Sequence, residues 1–418
     1  MTVGIRGVGE GSLIGSEFDV EVGAIAHGGH CVARHEGVVV FVRHALPGEF
    51  VRARVTKGRV GDRYLFADAV AVLRPSPYRV EPPCGYAGPG GCGGCDFQHV
   101  DVAEQRRLKA AVVAEQLRRL AGIDPDSLGG IVVEPVPGDR DGLRWRTRLT
   151  LAVDARGRTG LRRFHSHDVL PVRDCLIATE AVAHSGALWR RFPKARAVEV
   201  VGGDDRHAVV LAIPTRGRPV PVVHQRVAVE DWSAEFTLDP RSFWQVHPGA
   251  AAALTGAVLA GLAPAPGERC LDLYAGVGLF GRALADAVGP GGAVLIIEAD
   301  EVPARAARGW AEPMPQAEVR AERVDRALKP LMAGRDRVDL VVLDPPRAGA
   351  GSAVITALAQ LGPRAVAYVA CDPAALARDL ATAAALGYRL ASLRAFDQFP
   401  MTHHVECVAI LTAVADHG

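Results

Sequence analysis

The chain has 418 residues, of which 49% are hydrophobic, and a formal net charge of +1 at pH 7. This length predicts two or three domains with buried cores, and the balanced charge excludes a polycation that binds nucleic acid through overall charge. The N-terminus lacks a basic start followed by an apolar run, and no apolar stretch approaches membrane-spanning length. We therefore expect a cytoplasmic protein with no membrane partner. Eight cysteines without a secretion signal favour metal binding or catalysis over a disulfide framework.

Residues 12–73 contain short β-like runs separated by glycine turns, at 18–22, 38–42 and 49–55. Short strands at this spacing predict a small β-barrel, a shape that often binds nucleic acid. This segment also carries a local group of basic residues: Arg52, Arg54, Lys57, Arg59 and Arg63. Such a group is either the electrostatic footprint of a polyanion or an ordinary solvated strand face.

The proline- and glycine-rich segment 75–94 is predicted to be irregular. Cys84, Cys92 and Cys95 lie in it or directly after it, and Cys175 is the best candidate for a fourth thiol ligand. Four thiolates suit either zinc or an iron–sulfur cluster, and ligand chemistry alone does not separate the two. A redox pair of Cys92 and Cys95 is the weaker alternative, because thioredoxin-type pairs open a helix after a strand.

An amphipathic helix is predicted over 101–121, with Asp101 as its cap and its lysines and arginines in solvent. Residues 131–236 are rich in strand-like runs and predict a central β-rich domain. Eight arginines lie between Arg140 and Arg163, and the same two interpretations apply to them as to the basic group of the barrel.

From residue 237 the pattern alternates between strands and helices, which predicts a doubly wound sheet. A turn with Gly276 and Gly278 follows the first strand, and Glu298 closes the second. The turn lacks the third glycine of the dinucleotide fingerprint and any phosphate-binding lysine. This pattern favours a nucleoside cofactor without phosphates, S-adenosylmethionine, whose ribose Glu298 would bind.

Cys371 follows an apolar strand and precedes an Asp-Pro turn. A cysteine at such a place is either a buried core thiol or, at the sheet edge where ligands bind, a catalytic nucleophile. The second interpretation is favoured by its neighbours in sequence, which are the Asp-Pro-Pro-Arg stretch at 344–347 and the His-His-Val-Glu stretch at 403–406.

The chain resembles the RNA uracil-5-methyltransferase family at 243–246, 271–278, 344–347, 368–373 and 396–406, and its barrel segment resembles a TRAM domain at 28–34 and 41–49. The resemblance implies an α/β fold class. A C-terminal class I Rossmann-like methyltransferase domain (237–418) would follow a TRAM, OB-like β-barrel (12–73) and a β-rich central domain with a cysteine cluster (74–236). Members with both a TRAM domain and such cysteines resemble the 23S ribosomal RNA branch, which carries a [4Fe–4S] cluster.

The resemblance also implies roles for single residues. Cys371 would be the nucleophile that adds to C6 of uracil, and Glu406 the base that removes the C5 proton. The implied cofactor-binding residues are Gln245, Tyr274, Gly276, Gly278, Glu298 and Asp344. The implied cluster ligands are Cys84, Cys92, Cys95 and Cys175, with zinc as the less favoured metal. The expected partner is RNA, ribosomal rather than transfer RNA, and the expected state is a monomer.

Several positions depart from the family pattern. The spacing between Cys84 and Cys92 is longer than usual, and Ala370, Asp372 and Leu279 replace a serine and two asparagines. The alternatives are a tRNA uracil-5 methyltransferase, an RNA cytosine-5 methyltransferase and a non-catalytic iron–sulfur RNA-binding protein. A cytosine enzyme should place a proline directly before the cysteine. An adenine-N6 methyltransferase shares the acid and prolines at 344–346 but needs neither catalytic residue.

Overall fold

The structure, a computed structural model, describes residues 11–205, 207–215, 219–334 and 337–414. Its strands form four sheets: a closed five-stranded barrel, a five-stranded sheet, a two-stranded hairpin and an eight-stranded sheet. Within those ranges, no helix is both long enough and apolar enough to cross a membrane.

The N-terminal barrel consists of β1 (Glu17–Ile25), β2 (Cys31–His35), β3 (Val38–Arg43), β4 (Phe50–Lys57) and β5 (Tyr64–Arg74). These strands close in the order β1-β2-β3-β5-β4. Alternate residues of each strand point inward, so that Val20 and Val22 of β1 pack with Val51 and Val55 of β4 in the barrel core. The predicted barrel is confirmed, and β2 and β5 are additional to the three predicted runs.

The basic group of the barrel is partly neutralised by acids on a neighbouring strand. Arg52 pairs with Asp19 at 2.8 Å, and Arg54 pairs with Glu17 at 2.7 Å, across β4 and β1. These side chains are exposed, and their pairing favours the interpretation as a solvated strand face for these two arginines.

The middle of the chain contains α1 (Val102–Gln116), a π turn (Leu117–Ala121), a 3-10 turn (Pro125–Leu128), β6 (Val133–Pro135), β7 (Arg148–Val153), β8 (Thr159–Arg162), β9 (Val169–Leu170), α2 (Glu180–Ala183), β10 (Ala197–Val201), β11 (Val209–Ile213), β12 (Val223–Val229) and β13 (Trp232–Leu238). Strands β11-β10-β7-β8-β9 form the five-stranded sheet, and β12 and β13 form the hairpin. The predicted β-rich character is confirmed.

The predicted arginine cluster is also largely engaged within the protein. Arg144 binds Asp174 at 2.6 Å, and Arg158 binds Asp154 at 2.7 Å. Arg148 donates to the backbone carbonyl of Ser242 at 2.6 Å. These three arginines therefore stabilise the central sheet and its junction with the next segment.

The C-terminal part contains α3 (Ala250–Leu262), β14 (Arg269–Leu273), α4 (Leu279–Val288), β15 (Ala293–Glu298), α5 (Glu301–Ala311), β16 (Ala317–Ala321), α6 (Val324–Gly334), β17 (Leu340–Leu343), α7 (Ser352–Leu361), β18 (Ala365–Ala370), α8 (Pro373–Ala385), β19 (Tyr388–Asp397) and β20 (Glu406–Ala413). The sheet order is β16-β15-β14-β17-β18-β20-β19-β6. Strands β14 to β18 are parallel, so their carboxyl ends meet at one edge. Strand β20 is antiparallel to β18 and therefore begins at that same edge.

Two elements of the middle segment are built into this C-terminal unit. Strand β6 pairs in parallel with β19 and closes the sheet on that side. Helix α1 and the π turn pack beside it, with Val113 of α1 and Leu117 of the turn buried in the same apolar cluster as the sheet. The predicted domain boundary at residue 237 remains a prediction. The structure shows that a strand from before this boundary, β6, is part of the C-terminal sheet.

The predicted helix at 101–121 is confirmed, and the Asp101 carboxylate caps it by accepting from the amide of Ala103 at 2.9 Å. The expectation that its basic residues all lie in solvent is wrong for Lys109. This ammonium is fully buried, binds the equally buried Asp397 carboxylate at 2.5 Å and donates to the carbonyl of Phe399 at 3.0 Å. A buried charge needs such a partner, and the pair ties α1 to the end of β19.

Candidate active site

The glycine turn between β14 and α4 leaves an open space at the edge of the sheet. Gly278 has φ 79°, and a Cβ there would lie 2.7 Å from the ring of Trp310, so this position excludes any side chain. Gly276 has φ 56°, with no atom within 4 Å of the position that a Cβ would take. Tyr274, half-buried, begins the turn in the left-handed region with φ 59°. A ligand can thus approach the backbone closely beside Gly276.

Glu298, at the end of β15, is held beside this turn. One carboxylate oxygen accepts from the amide of Gly276 at 2.8 Å, and the other accepts from the amide of Asp300 at 2.8 Å. Each oxygen keeps a further lone pair, so the carboxylate can also accept from the two hydroxyls of a ribose. These acceptor oxygens and the open turn fit the nucleoside part of S-adenosylmethionine, as the sequence predicts.

Asp272 lies beneath the turn and is fully buried. One oxygen accepts from the amide of Gly281 at 2.7 Å, and the other has no hydrogen-bond partner among the described residues. Burial, with a smaller contribution from the nearby Asp344 and Glu298, raises the pKa of this carboxyl group to about 8. The group supports the start of α4 from inside the sheet.

Cys371 and Glu406 lie side by side at the carboxyl edge of the sheet. Ala370, the last residue of β18, pairs directly with Cys407 of β20, and continuing this register by one residue places Cys371 opposite Glu406. Cys407 is fully buried in the apolar cluster that also contains Ala370. Strand alternation therefore directs the Cys371 and Glu406 side chains away from that cluster.

Glu406 is held by an amide that the sequence did not single out. The Gln398 side-chain nitrogen donates to a Glu406 oxygen at 3.1 Å and to the Gln245 side-chain oxygen at 3.0 Å. All three side chains are buried. The structure thus brings Gln245 to the carboxylate side of the site, and its predicted contact with the cofactor remains a prediction. Gln398 lies within the family-like stretch 396–406, but nothing in its residue type indicated this bridging position.

The charges around the thiol shape its reactivity. The pKa of Cys371 is raised to about 11, mainly by burial and also by Glu406 and Asp344, whereas Arg347 acts to lower it. Burial also raises the pKa of Asp344, which follows β17, to about 7. The pKa of Glu406 is raised well above its ordinary value by burial and by Asp344, and Arg347 lowers it. A carboxylate with a raised pKa is a stronger base, as proton abstraction requires.

A loop of the barrel forms one wall of the cavity at Cys371. This cavity, of about 110 Å³, is lined by Arg347, Cys371 and His404 on the sheet side and by residues 27–29 from the loop between β1 and β2. The His27 ring nitrogen lies 3.1 Å from the Asp372 carboxylate. The barrel is therefore positioned directly at the mouth of the site.

The four predicted metal-binding cysteines line a second cavity, of about 450 Å³, between the irregular segment and the central sheet. They are Cys84, Cys92, Cys95 and Cys175, all free thiols. Four thiols on one cavity fit the donor chemistry of a cluster or of zinc. Among the described residues, however, no three such side chains are arranged as a ready metal-binding set.

Comparisons with known proteins show the family of this chain. A TRAM domain model matches residues 11–70, and a model described as tRNA (Uracil-5-)-methyltransferase matches residues 221–414. An uncharacterised RNA methyltransferase of Streptomyces coelicolor is 49% identical over 97% of this chain and 94% of its own length. A 23S rRNA (uracil(1939)-C(5))-methyltransferase of Pseudomonas aeruginosa is 31% identical over 96% of this chain and 95% of its own length. The chain belongs to the RNA uracil-5-methyltransferase family.

Members of this family are S-adenosylmethionine-dependent enzymes, and the predicted enzyme class is confirmed. A solved structure of a family member, the tRNA (uracil-54, C5)-methyltransferase of Pyrococcus abyssi in complex with S-adenosyl-L-homocysteine, has a TM-score of 0.65 against this chain. It is 22% identical and covers 94% of this chain and 100% of its own. At that identity the likeness shows the fold, and it confirms the predicted fold class.

Proposed function

We propose that the protein methylates C5 of one uridine in 23S ribosomal RNA through a covalent bond between Cys371 and C6 of the base. The observation that carries this proposal is the register that sets Cys371 beside Glu406 at the edge of the sheet, next to the glycine turn. The Pseudomonas relative, whose name specifies 23S rRNA, aligns with 96% of this chain and supports the choice of RNA. A monomer in the cytoplasm is part of the same proposal.

The reaction divides between the two side chains. C5 of uracil is a weak nucleophile, so the Cys371 thiolate first forms a bond to C6, and the electron pair of the C5=C6 bond moves to C5 and the adjoining carbonyl. S-adenosylmethionine, when bound, would supply the methyl group that C5 acquires, with S-adenosylhomocysteine as the leaving group. The Glu406 carboxylate then takes the proton from C5. The electron pair of that C–H bond restores C5=C6 while the sulfur–C6 bond breaks and the thiolate returns.

The bridging amide favours uracil over cytosine. A carboxylate only accepts hydrogen bonds, so Gln398 must present its NH₂ group to Glu406, and the same nitrogen donates to the Gln245 oxygen. The NH₂ group of Gln245 is then left to donate to a ligand. We propose that this donor faces C4 of the base, where uracil offers a carbonyl oxygen and cytosine has an amino group that would meet a second donor.

The test is methyl transfer from labelled S-adenosylmethionine to transcripts of 23S rRNA and of tRNA, followed by nucleoside analysis. We expect 5-methyluridine in the ribosomal transcript, and no product with Cys371→Ala. Cys407→Ala is the matched control, since that thiol faces the apolar core. Label in tRNA alone would reassign the substrate, and 5-methylcytidine would overturn the choice of base. Mapping 5-methyluridine in RNA from a deletion strain against its parent then identifies the position.

We further propose that the four cysteines hold a [4Fe–4S] cluster. Support comes from the four thiols that share one cavity and from the family resemblance of the set. Protein purified without oxygen should be brown, with broad absorbance near about 400 nm, and Cys175→Ala should lose both iron and colour. Colourless protein with stoichiometric zinc would overturn the cluster and leave the methyltransferase proposal intact.

A further inference from the structure

Four aromatic rings form a continuous group on the outer face of the barrel, and we call this group the aromatic strip. Its members are His30, Phe41, Tyr64 and Phe66. Phe41 on β3 and Phe66 on β5 are direct register partners, with ring centroids 5.4 Å apart and planes 28° from parallel. Tyr64 packs edge-on against both, at 5.8 and 5.7 Å. His30 contacts Phe66 edge-on at 5.4 Å.

These rings are not needed to fill the barrel. Neighbouring residues on the same strands, Val40 and Val42 on β3 and Leu65 on β5, point inward and form the core. The alternation of a strand therefore turns Phe41, Tyr64 and Phe66 outward. Tyr64 is 52% exposed, and the other rings of the strip are half-buried. A cluster of outward aromatic rings is a surface that a ligand can cover.

The strip adjoins the barrel loop that lines the cavity at Cys371. His30 follows the loop 27–29, which lines the cavity with Cys371. Gly29 of that loop packs so closely on His403 that an added Cβ would lie 2.7 Å from the histidine Cβ. One end of the strip and the cavity at Cys371 thus lie on either side of the same barrel loop, which packs against the C-terminal sheet.

A cation accompanies the rings. The Lys57 ammonium lies over the ring of Phe66, 5.8 Å from its centroid. On the same strand, Arg52 and Arg54 are occupied by acids of β1. A lysine beside stacked rings matches a nucleic acid strand, which presents flat bases and phosphates together.

We infer that the aromatic strip binds unpaired bases of the RNA that flank the target uridine, and this inference rests on the proposed function. Aromatic side chains stack on bases only where these are unstacked from their neighbours, as in loops and single strands. The target base must itself leave its stack to reach Cys371. A strip that holds neighbouring bases outside a helix would stabilise the opened conformation that the reaction requires.

The test is binding of a short single-stranded oligouridylate and of an RNA duplex to the full-length protein by fluorescence anisotropy. Tyr64→Leu and Phe66→Leu keep apolar volume but remove the flat ring. We expect each to weaken oligouridylate binding about 5- to 10-fold, with little change for the duplex. The salt dependence of binding should keep its slope in both variants, because stacking releases no counterions, whereas Lys57→Ala should lower that slope.

Phe18→Leu is the matched control, since Phe18 is a half-buried barrel aromatic that stacks on His35 away from the strip. Thermal unfolding checks that all variants fold. If Phe66→Leu does not fold, Tyr64→Leu still tests the inference, because Tyr64 is exposed. Unchanged oligouridylate affinity in Tyr64→Leu would overturn the inference. If the strip variants bind RNA normally while the wild type methylates RNA, the inference about the strip is wrong and the proposed function stands. If the wild type neither binds nor methylates RNA, the proposed function fails as well.

Discussion

Glu406→Gln should separate the two halves of the reaction. Glutamine has nearly the shape of glutamate, and its side-chain oxygen can still accept from Gln398, which donates to Glu406 at 3.1 Å. The packing around this buried position is therefore retained, while the proton acceptor is lost. Because Glu406 raises the pKa of Cys371, removing its charge favours the thiolate and so the addition to C6.

The magnitude follows from the step that is lost. A positioned general base contributes about 10²–10⁴-fold to the rate of proton transfer, so elimination should slow by about that factor. Formation of the sulfur–C6 bond should proceed at least as fast as in the wild type. The variant should therefore accumulate methylated RNA that remains bound to Cys371.

A denaturing gel with labelled RNA measures this directly, because the covalent complex migrates as a slow band. Mass spectrometry of the band should show both the methyl group and the link to Cys371. Cys371→Ala should give no band, and Cys407→Ala should behave as the wild type does. Normal turnover by Glu406→Gln, or an adduct formed by Cys371→Ala, would refute the assignment of the two roles.

Three further outcomes are expected. Arg347→Gln should shift alkylation of Cys371 by iodoacetamide to higher pH, because Arg347 lowers a thiol pKa that is about 11 in the wild type; a pH profile equal to that of the wild type would contradict this. Gln398→Met should lower kcat/KM by about 10- to 100-fold, because it removes the hydrogen-bond donor of the buried Glu406 and leaves the Gln245 amide free to rotate. An unchanged kcat/KM would exclude a positioning role for Gln398. Asp272→Asn should gain melting temperature relative to the wild type as the pH rises. The pKa of Asp272 is raised from 3.8 to about 8 in the folded protein, so the stability of the wild type falls as the pH rises between these values. If the melting temperatures of variant and wild type differed by the same amount below pH 5 and above pH 8, this expectation would be wrong.

Sequence patterns predicted the elements whose periodicity is strong. The strands before Asp344 and Cys371 are apolar on both faces and lead directly into those polar residues, which indicates both their type and the edge of the sheet where the site lies. The short strand β6 was not predicted as part of the sheet, because three residues carry no usable period and its partner β19 lies far along the chain. Strands β2 and β5 were not among the named runs: β2 has only five residues, and in β5 apolar residues follow one another without a clear period of two.

The site was predicted where a residue's chemistry is unusual and missed where only geometry matters. A cysteine at a strand end and a glycine turn are recognisable from the chain alone. The link from Gln398 to Gln245 joins residues 153 positions apart, and only the folded sheet brings them together. Lys109 shows the same limit, since a lysine on an amphipathic helix is normally solvated and its burial depends on Asp397, 288 residues away.

The interlocking of α1 and β6 with the C-terminal sheet determines how the protein can be divided. A fragment that begins at residue 237 would expose the edge of β19, whose hydrogen-bonding groups β6 normally occupies, and would leave Asp397 buried without the ammonium of Lys109. An open strand edge invites association with other chains, and an unpaired buried carboxylate is strongly destabilising. The methyltransferase sheet therefore cannot be released as a module without α1 and β6. During synthesis, α1 is made long before β19. Lys109 of α1 therefore has no buried partner until Asp397, at the end of β19, has been added.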